Sequence, residues 1–235
     1  RELGERLAEA SALGNLGVIC DCLSDYSGAR DRHEASLEIA RSMGLRPQEG
    51  ETLANLGLLC HHLGQDEAAR EHSRGALEIA QELGPREVEA VAVTHLGHAL
   101  AGLGHLAEAA GAYRQSVALR RDLGQTHLAT EPLAGLARVC LIQGNPIEAQ
   151  ALVEEILGHL ESHTLEGTEE PIRVYLTRYR VLTANQDPRA RELLDTAHRL
   201  LQERAAKIGD EEMRRSYLEN VPAHREMVQE FAKIG

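Results

Sequence analysis

The 235-residue chain is 43% apolar and 26% charged, carries a formal net charge of −12, and contains no Trp, one Phe and five Tyr. The negative balance excludes general binding to nucleic acid or to anionic membranes, which requires a basic field. A core of Leu, Ala, Ile and Val with few rings suits closely packed helices better than a β-sandwich, and no apolar run approaches the ~18 residues of a membrane span.

From the N-terminus onward the sequence repeats itself. It opens on RELG, and the same kind of phrase returns as RSMG, QELG and RDLG, so that Gly4, Gly44, Gly84 and Gly124 stand 40 residues apart. Leu16-Gly17, Leu56-Gly57 and Leu96-Gly97 keep that period, continued by Leu136-Ala137 and Leu176-Thr177. Small residues follow in phase at Ala29, Ala69, Ala109 and Ala149, then at Ala190, one residue late. A third landmark lies at Ser36, Ala76, Ser116, Ile156 and Ala197. Leu followed by a small residue, answered by small residues one helix later, marks helices that cross closely.

Each period reads as two helices. In the second, GETLANLGLLCHHLG places Leu53, Leu56 and Cys60 on one face, and QDEAAREHSRGALEIAQELG does the same with Ala69, Ala76, Ile79, Ala80 and Leu83. Gly64, Gly104 and Gly144 mark turns within pairs, while Gly44, Gly84 and Gly124 mark helix ends, where a left-handed cap favours glycine. Six of the seven prolines also fall at joints; Pro222 interrupts the last helical stretch. The pattern predicts an all-α solenoid: residues 1–8 as the end of a preceding helix and a linker, helix pairs at about 9–48, 49–88, 89–128, 129–168 and 169–206, and a capping helix over 207–235. By its alignment, RELG is the last turn of a preceding repeat, as in a piece of a longer protein. Asp210, ahead of Glu211 and Glu212, is the expected start of the cap helix.

The in-phase elements of ANLGLLCHHLGQDEAA, recurring over roughly residues 9–206, resemble the tetratricopeptide repeat in a long version of about 40 residues rather than 34. Ala137, Thr177, Ala184 and the inserted residue of the fifth unit depart from that pattern. The tail RRSYLENVPAHREMV resembles the closing segment of repeat regions in large bacterial signalling proteins: STAND-type ATPases, repeat-bearing nucleotide cyclases and related transcriptional activators. The resemblances imply a right-handed stack of helix pairs that recognises a protein or peptide segment, acts as the ligand-sensing region of such a protein in the cytoplasm, and communicates with upstream domains of the same polypeptide. The alternatives are a scaffold or self-association module, or a small-molecule sensor.

Counting from the Leu of each unit, positions −3, 0 and +4 form the expected core stripe, for example Leu13, Leu16 and Cys20; Arg173 and Arg180 break it in the fifth unit, a sign that this helix is shifted or more exposed. Positions −5, −2, +2 and +5 form the expected groove stripe, with Val18, Leu58, His98, Arg138 and Arg178 at +2, His61 at +5 and Thr94 at −2. Arginine suits bidentate capture of carboxylate or phosphate, so Arg138 and Arg178, with His98, form a candidate ladder for an acidic side chain, a peptide C-terminus or an acidic loop. The competing reading makes both solvated, or pairs them with Glu131, Glu169 or Glu170. Asn15 and Asn55, just before their Leu-Gly pairs, are candidates to clamp an extended peptide backbone through their paired donor and acceptor.

No catalytic chemistry is expected. Neither CxxC nor HExxH occurs, so the twelve histidines read as scattered on the surface rather than as metal ligands. There is no GxSxG, GxxxxGK or GxGxxG, so neither a nucleophile elbow nor a nucleotide cofactor is expected. Cys20, Cys60 and Cys140 occupy equivalent places on apolar faces, as small buried thiols rather than a disulfide framework.

Overall fold

The computed structural model describes residues 2–160, 165 and 168–234; Arg1 and the end of the fourth predicted segment lie outside them. Among the described residues there are helices and turns and no strand. The chain divides into two compact units, Arg1–Leu119 and Arg120–Gly235.

In the first unit, α1 (Glu2–Cys22) packs on α2 (Tyr26–Ser42), α3 (Arg46–His62) on α4 (Asp66–Leu83), and α5 (Arg86–Gly102) on α6 (Leu106–Asp122), which runs on into the second unit. The first helices of the pairs lie side by side, α1 against α3 and α3 against α5. In the second unit, a 3-10 turn (Thr126–Ala129) leads into α7 (Thr130–Ile142), which packs on α8 (Pro146–Leu160). There follow α9 (Pro171–Ala184), α10 (Arg189–Ala205), α11 (Glu211–Glu219) and α12 (Pro222–Ile234), with α9 against both α7 and α10.

The turns repeat one closure. The N–H of the residue opening each second helix bonds the carbonyl five residues back: Asp25 to Cys20, Gln65 to Cys60, His105 to Leu100, Asn145 to Cys140 and Asp187 to Leu182, at 2.8–2.9 Å. The closure requires a left-handed residue one place earlier. Gly64, Gly104 and Gly144 supply it in three turns, whereas Ser24 (φ 64°) and Gln186 (φ 56°) are held there in the first and fifth. Those two turns carry no glycine signal in the sequence.

The small-residue positions are sites of close crossing. A Cβ built on Gly57 would stand 2.5 Å from Ser73 Oγ, and one on Gly97 would stand 2.7 Å from the Tyr113 ring. Serines at the third landmark do more than save space. Ser36 donates to the Ala10 carbonyl (2.8 Å) and Ser116 to the Ala90 carbonyl (3.0 Å), each tying a second helix to its own first helix. Leu53, Leu56, Leu59, Ala76 and Ile79 form the centre of the first unit's core.

Three expectations need correction. Gly4 does not end a helix, and no linker follows it: α1 runs without a break from Glu2 to Cys22. Gly44 and Gly84 have a proline within three residues to stop propagation, whereas the helix-forming ERLAEASAL run follows Gly4. Leu16 is not core; it is 47% exposed, because no described helix covers that face of α1, where Ile19 is exposed as well. The C-terminal cap is two helices rather than one. Asp210 caps α11 by accepting from the Met213 N–H at 2.8 Å. The chain then turns at Asn220 and Val221, and Pro222 starts α12. Ala223 and the fully buried Met227 of α12 close over Leu194, Ala197 and Leu201 of α10.

Candidate functional site

In the first unit the predicted groove residues divide into open and closed sets. Asn15 is exposed, Val18 is 41% exposed and Asn55 is half-buried, at related places on the neighbouring helices α1 and α3. Leu58 is buried. Thr94 and His98, one turn apart on α5, turn toward the paired helix α6. Thr94 Oγ1 donates to the Ala90 carbonyl (2.9 Å) and lies 2.7 Å from Ser116 Oγ, and His98 Nδ1 lies 2.8 Å from the Tyr113 hydroxyl.

Among the described residues several histidines are buried rather than scattered on the surface, a further correction, although His105 is exposed. His33, His95 and His98 are each 1% exposed. His61 stacks on His98 (centroids 5.5 Å, 17° between planes), His95 lies beside His98 at 6.3 Å, and His62 leans on Tyr26 at 5.9 Å. Each Nδ1 has a protein partner: Asp66 for His61 (2.6 Å), Asp21 for His62 (3.1 Å), and for His95 the Ala54 carbonyl (3.0 Å), to which it must donate. His61 stands at +5 in its unit, and His95 and His98 at −1 and +2 in theirs, so a short ring stack offset by one turn joins α3 to α5. His33 fills the space opposite Gly17, and burial pushes its pKa down against the opposing pull of Asp21. None of the four cysteines is in a disulfide; Cys60 and Cys140 are buried, Cys20 is intermediate and Cys22 exposed.

In the second unit Arg138 and Arg178 do not form one ladder. Arg138 is half-buried and acts electrostatically on Arg180, whose pKa is lowered first by burial and then by Arg138. Arg180 is paired with Glu226 of α12, and Arg173 with Glu170 at 2.8 Å. These pairings put Arg180 on the α12 side of α9. Arg178 instead lines a cavity of about 320 Å³ framed by α8, α9 and α10. It is 5% exposed, with its guanidinium carbon 5.3 Å from the centre of the Tyr175 ring. Arg178 and Arg180, two residues apart on α9, thus have different surroundings, and it is Arg180 that Arg138 acts on.

The tetratricopeptide repeat model matches residues 48–122, which hold α3 to α6. Residues 48–122 thus match tetratricopeptide repeats. Solved structures share the arrangement well beyond that segment. A Rap protein complexed with competence and sporulation factor is 18% identical, with a TM-score of 0.67, over 97% of this chain and 66% of its own. The Rap conjugation regulator of plasmid pLS20, in complex with a Phr peptide, is 14% identical with a TM-score of 0.70, over 94% of this chain and 65% of its own. PilF of Pseudomonas aeruginosa is 18% identical with a TM-score of 0.59, over 98% of this chain and all of its own. This chain thus spans just under two thirds of the length of the two Rap proteins. At such identities the likeness concerns the fold. A search of curated proteins returns no match.

Within the repeats, the sequence reading missed His62 and His95 as ring partners and Tyr175 as the neighbour of Arg178. The HH pair at 61–62 and the His95/His98 spacing were the available signals. Their common fate depends on which face each helix turns to its neighbour.

Proposed function

We propose that this protein is a non-catalytic recognition module that binds an extended peptide or protein segment along the first helices of its repeats, as the ligand-sensing region of a larger signalling protein. The observation that carries the reading is the side-by-side packing of α1, α3 and α5, which leaves Asn15, Val18 and half-buried Asn55 on neighbouring helices as an accessible strip. An amide side chain offers a donor and an acceptor together, which matches the alternating groups of an extended backbone. Two solved structures that share the fold hold the competence and sporulation factor and a Phr peptide, respectively, which supports a peptide as the ligand class. The signalling context, a STAND-type ATPase or a cyclase with effector domains upstream, rests on the tail RRSYLENVPAHREMV.

Selection from a random heptapeptide display library, followed by fluorescence anisotropy with the labelled binders, tests the reading. Replacing Asn15 and Asn55 together by Ala is expected to weaken binding about 10-fold or more, since two backbone-directed hydrogen bonds are lost. Unchanged affinity in a variant of intact helicity refutes the strip. Binding lost instead by substitutions on the second helices or on α12 favours a scaffold surface. A phosphate-loop domain encoded upstream supports the switch context, and an upstream region of adaptor domains alone removes it.

A further inference from the structure

Arg178 is an anomaly among the arginines of its unit. Arg173, Arg180 and Arg189 each hold a carboxylate: Glu170, Glu226, and the pair Asp187 and Glu154. Arg178 is more deeply buried than any of them, yet among the described residues it has no ion pair, and its Nε has no hydrogen-bond partner. A buried guanidinium without a counter-ion is costly, because its lost hydration is not replaced. Nearby carboxylates do not resolve this. Glu154 is close enough to act on Arg178 electrostatically, but it is bound to Arg189. Asp187 is also held by Arg189, so firmly that its pKa falls to about 2.

The cavity beside Arg178 has a definite character. Leu157, Leu182 and Leu193 give it apolar walls, Tyr175 adds a ring face, and Thr196 adds a hydroxyl. Its volume of about 320 Å³ falls within the range of small-molecule sites, which run from about 300 to 1,000 Å³. The other charged residues of the lining are Arg189, already neutralised by Asp187 and Glu154, and the exposed Glu192, which stands against a doubly charged ligand such as phosphate. One unpaired fixed cation, apolar walls and one acidic group describe a receptor for a single carboxylate on a compact apolar body.

We propose that the cavity between α8, α9 and α10 is a binding site for such a monocarboxylate, with Arg178 as the bidentate anchor and the leucines and Tyr175 enclosing its apolar part. The site is separate from the peptide strip on α1 and α3, and neither depends on the other. The carboxylate can belong to a free small acid or to the C-terminal residue of a peptide.

The test is a titration of the full 15N-labelled chain with N-acetyl-leucine, following the Nε–H resonance of Arg178 by NMR. N-acetyl-leucinamide serves as the uncharged control, and acetyl-trialanyl-leucine as the peptide arm. The acid is expected to shift the Arg178 resonance saturably and to bind at least about 10-fold more tightly than the amide. Binding of the acid but not the tetrapeptide assigns the site to a free acid. Binding of both assigns it to a peptide C-terminus. Arg178→Met is expected to lose the acid. Leu193→Trp, which fills the cavity while keeping the arginine, is expected to lose it too, and it decides the matter if Arg178→Met fails to fold. Equal binding of acid and amide overturns the proposal. So does an unmoved Arg178 resonance in the millimolar range, or undiminished affinity in Leu193→Trp.

Discussion

Replacing Gly97 by Ala is a small change with a calculable cost. The added Cβ would stand 2.7, 2.8 and 3.1 Å from three atoms of the Tyr113 ring, where ordinary contacts begin at 3.4 Å. The ring is fully buried and its hydroxyl is bonded to His98, so it cannot swing aside. Overpacking of this kind costs about 1–3 kcal/mol, offset by up to about 1 kcal/mol from removing a glycine from a helix interior. The expected net loss is about 1–2 kcal/mol, or a fall in Tm of several degrees for a chain of this size. Gly111 on α6 is the control. Its Cβ would meet nothing within 4 Å, so Gly111→Ala should stabilise by about 0.5–1 kcal/mol. The fourth pair indicates the compensating change, since the places of Gly97 and Tyr113 are taken there by Ala137 and Val153, both fully buried. Tyr113→Val alone should lose about 2–4 kcal/mol to a cavity. Combined with Gly97→Ala it should lose less than the two singles summed, with a coupling of at least about 1 kcal/mol. Urea denaturation followed by far-ultraviolet circular dichroism on the four proteins measures this. Additive losses, or a Gly97→Ala midpoint equal to that of the parent, would refute the small-against-large account of the helix seam.

Two further outcomes are expected. The His224 Nδ1–H donates to the Tyr217 carbonyl at 2.8 Å, and burial lowers the pKa of this ring from 6.5 to about 4, so the unfolded chain takes up the proton before the native state does. Stability is therefore full above about pH 6.5 and declines as the pH falls toward 4, by on the order of 3 kcal/mol when complete. His33, His72 and His198 shift in the same direction, so the measurement is the difference between the parent and His224→Gln in urea midpoints at neutral and acid pH; parallel pH curves would exclude the assignment. Gln186→Gly should stabilise by about 0.5–1 kcal/mol, because Gln186 is exposed and held at φ 56° in a turn that glycine enters without strain. A lower thermal midpoint would count against that turn geometry.

The sequence by itself determined the period of 40, the all-α class and the seams where small residues let helices cross. Those properties are local: a glycine cap, a proline at a first turn or a Leu-Gly pair acts within a few residues, and repetition makes each signal legible several times over. The histidines show where that stops. His61, His95 and His98 read singly as surface residues, yet their rings meet because packing sets how each first helix is turned against the next. Arg178 shows the same limit at the candidate site. Its stripe position matches that of Arg138, each two residues after the Leu of its unit, and the extra residue of the fifth pair enters only later, before Ala190. Helix α9 settles with Arg180 toward α12 and Arg178 in the cavity. The choice between groove and cavity was made by the packing of α8, α10 and α12 around α9, a tertiary fact that the spacing of two arginines does not contain.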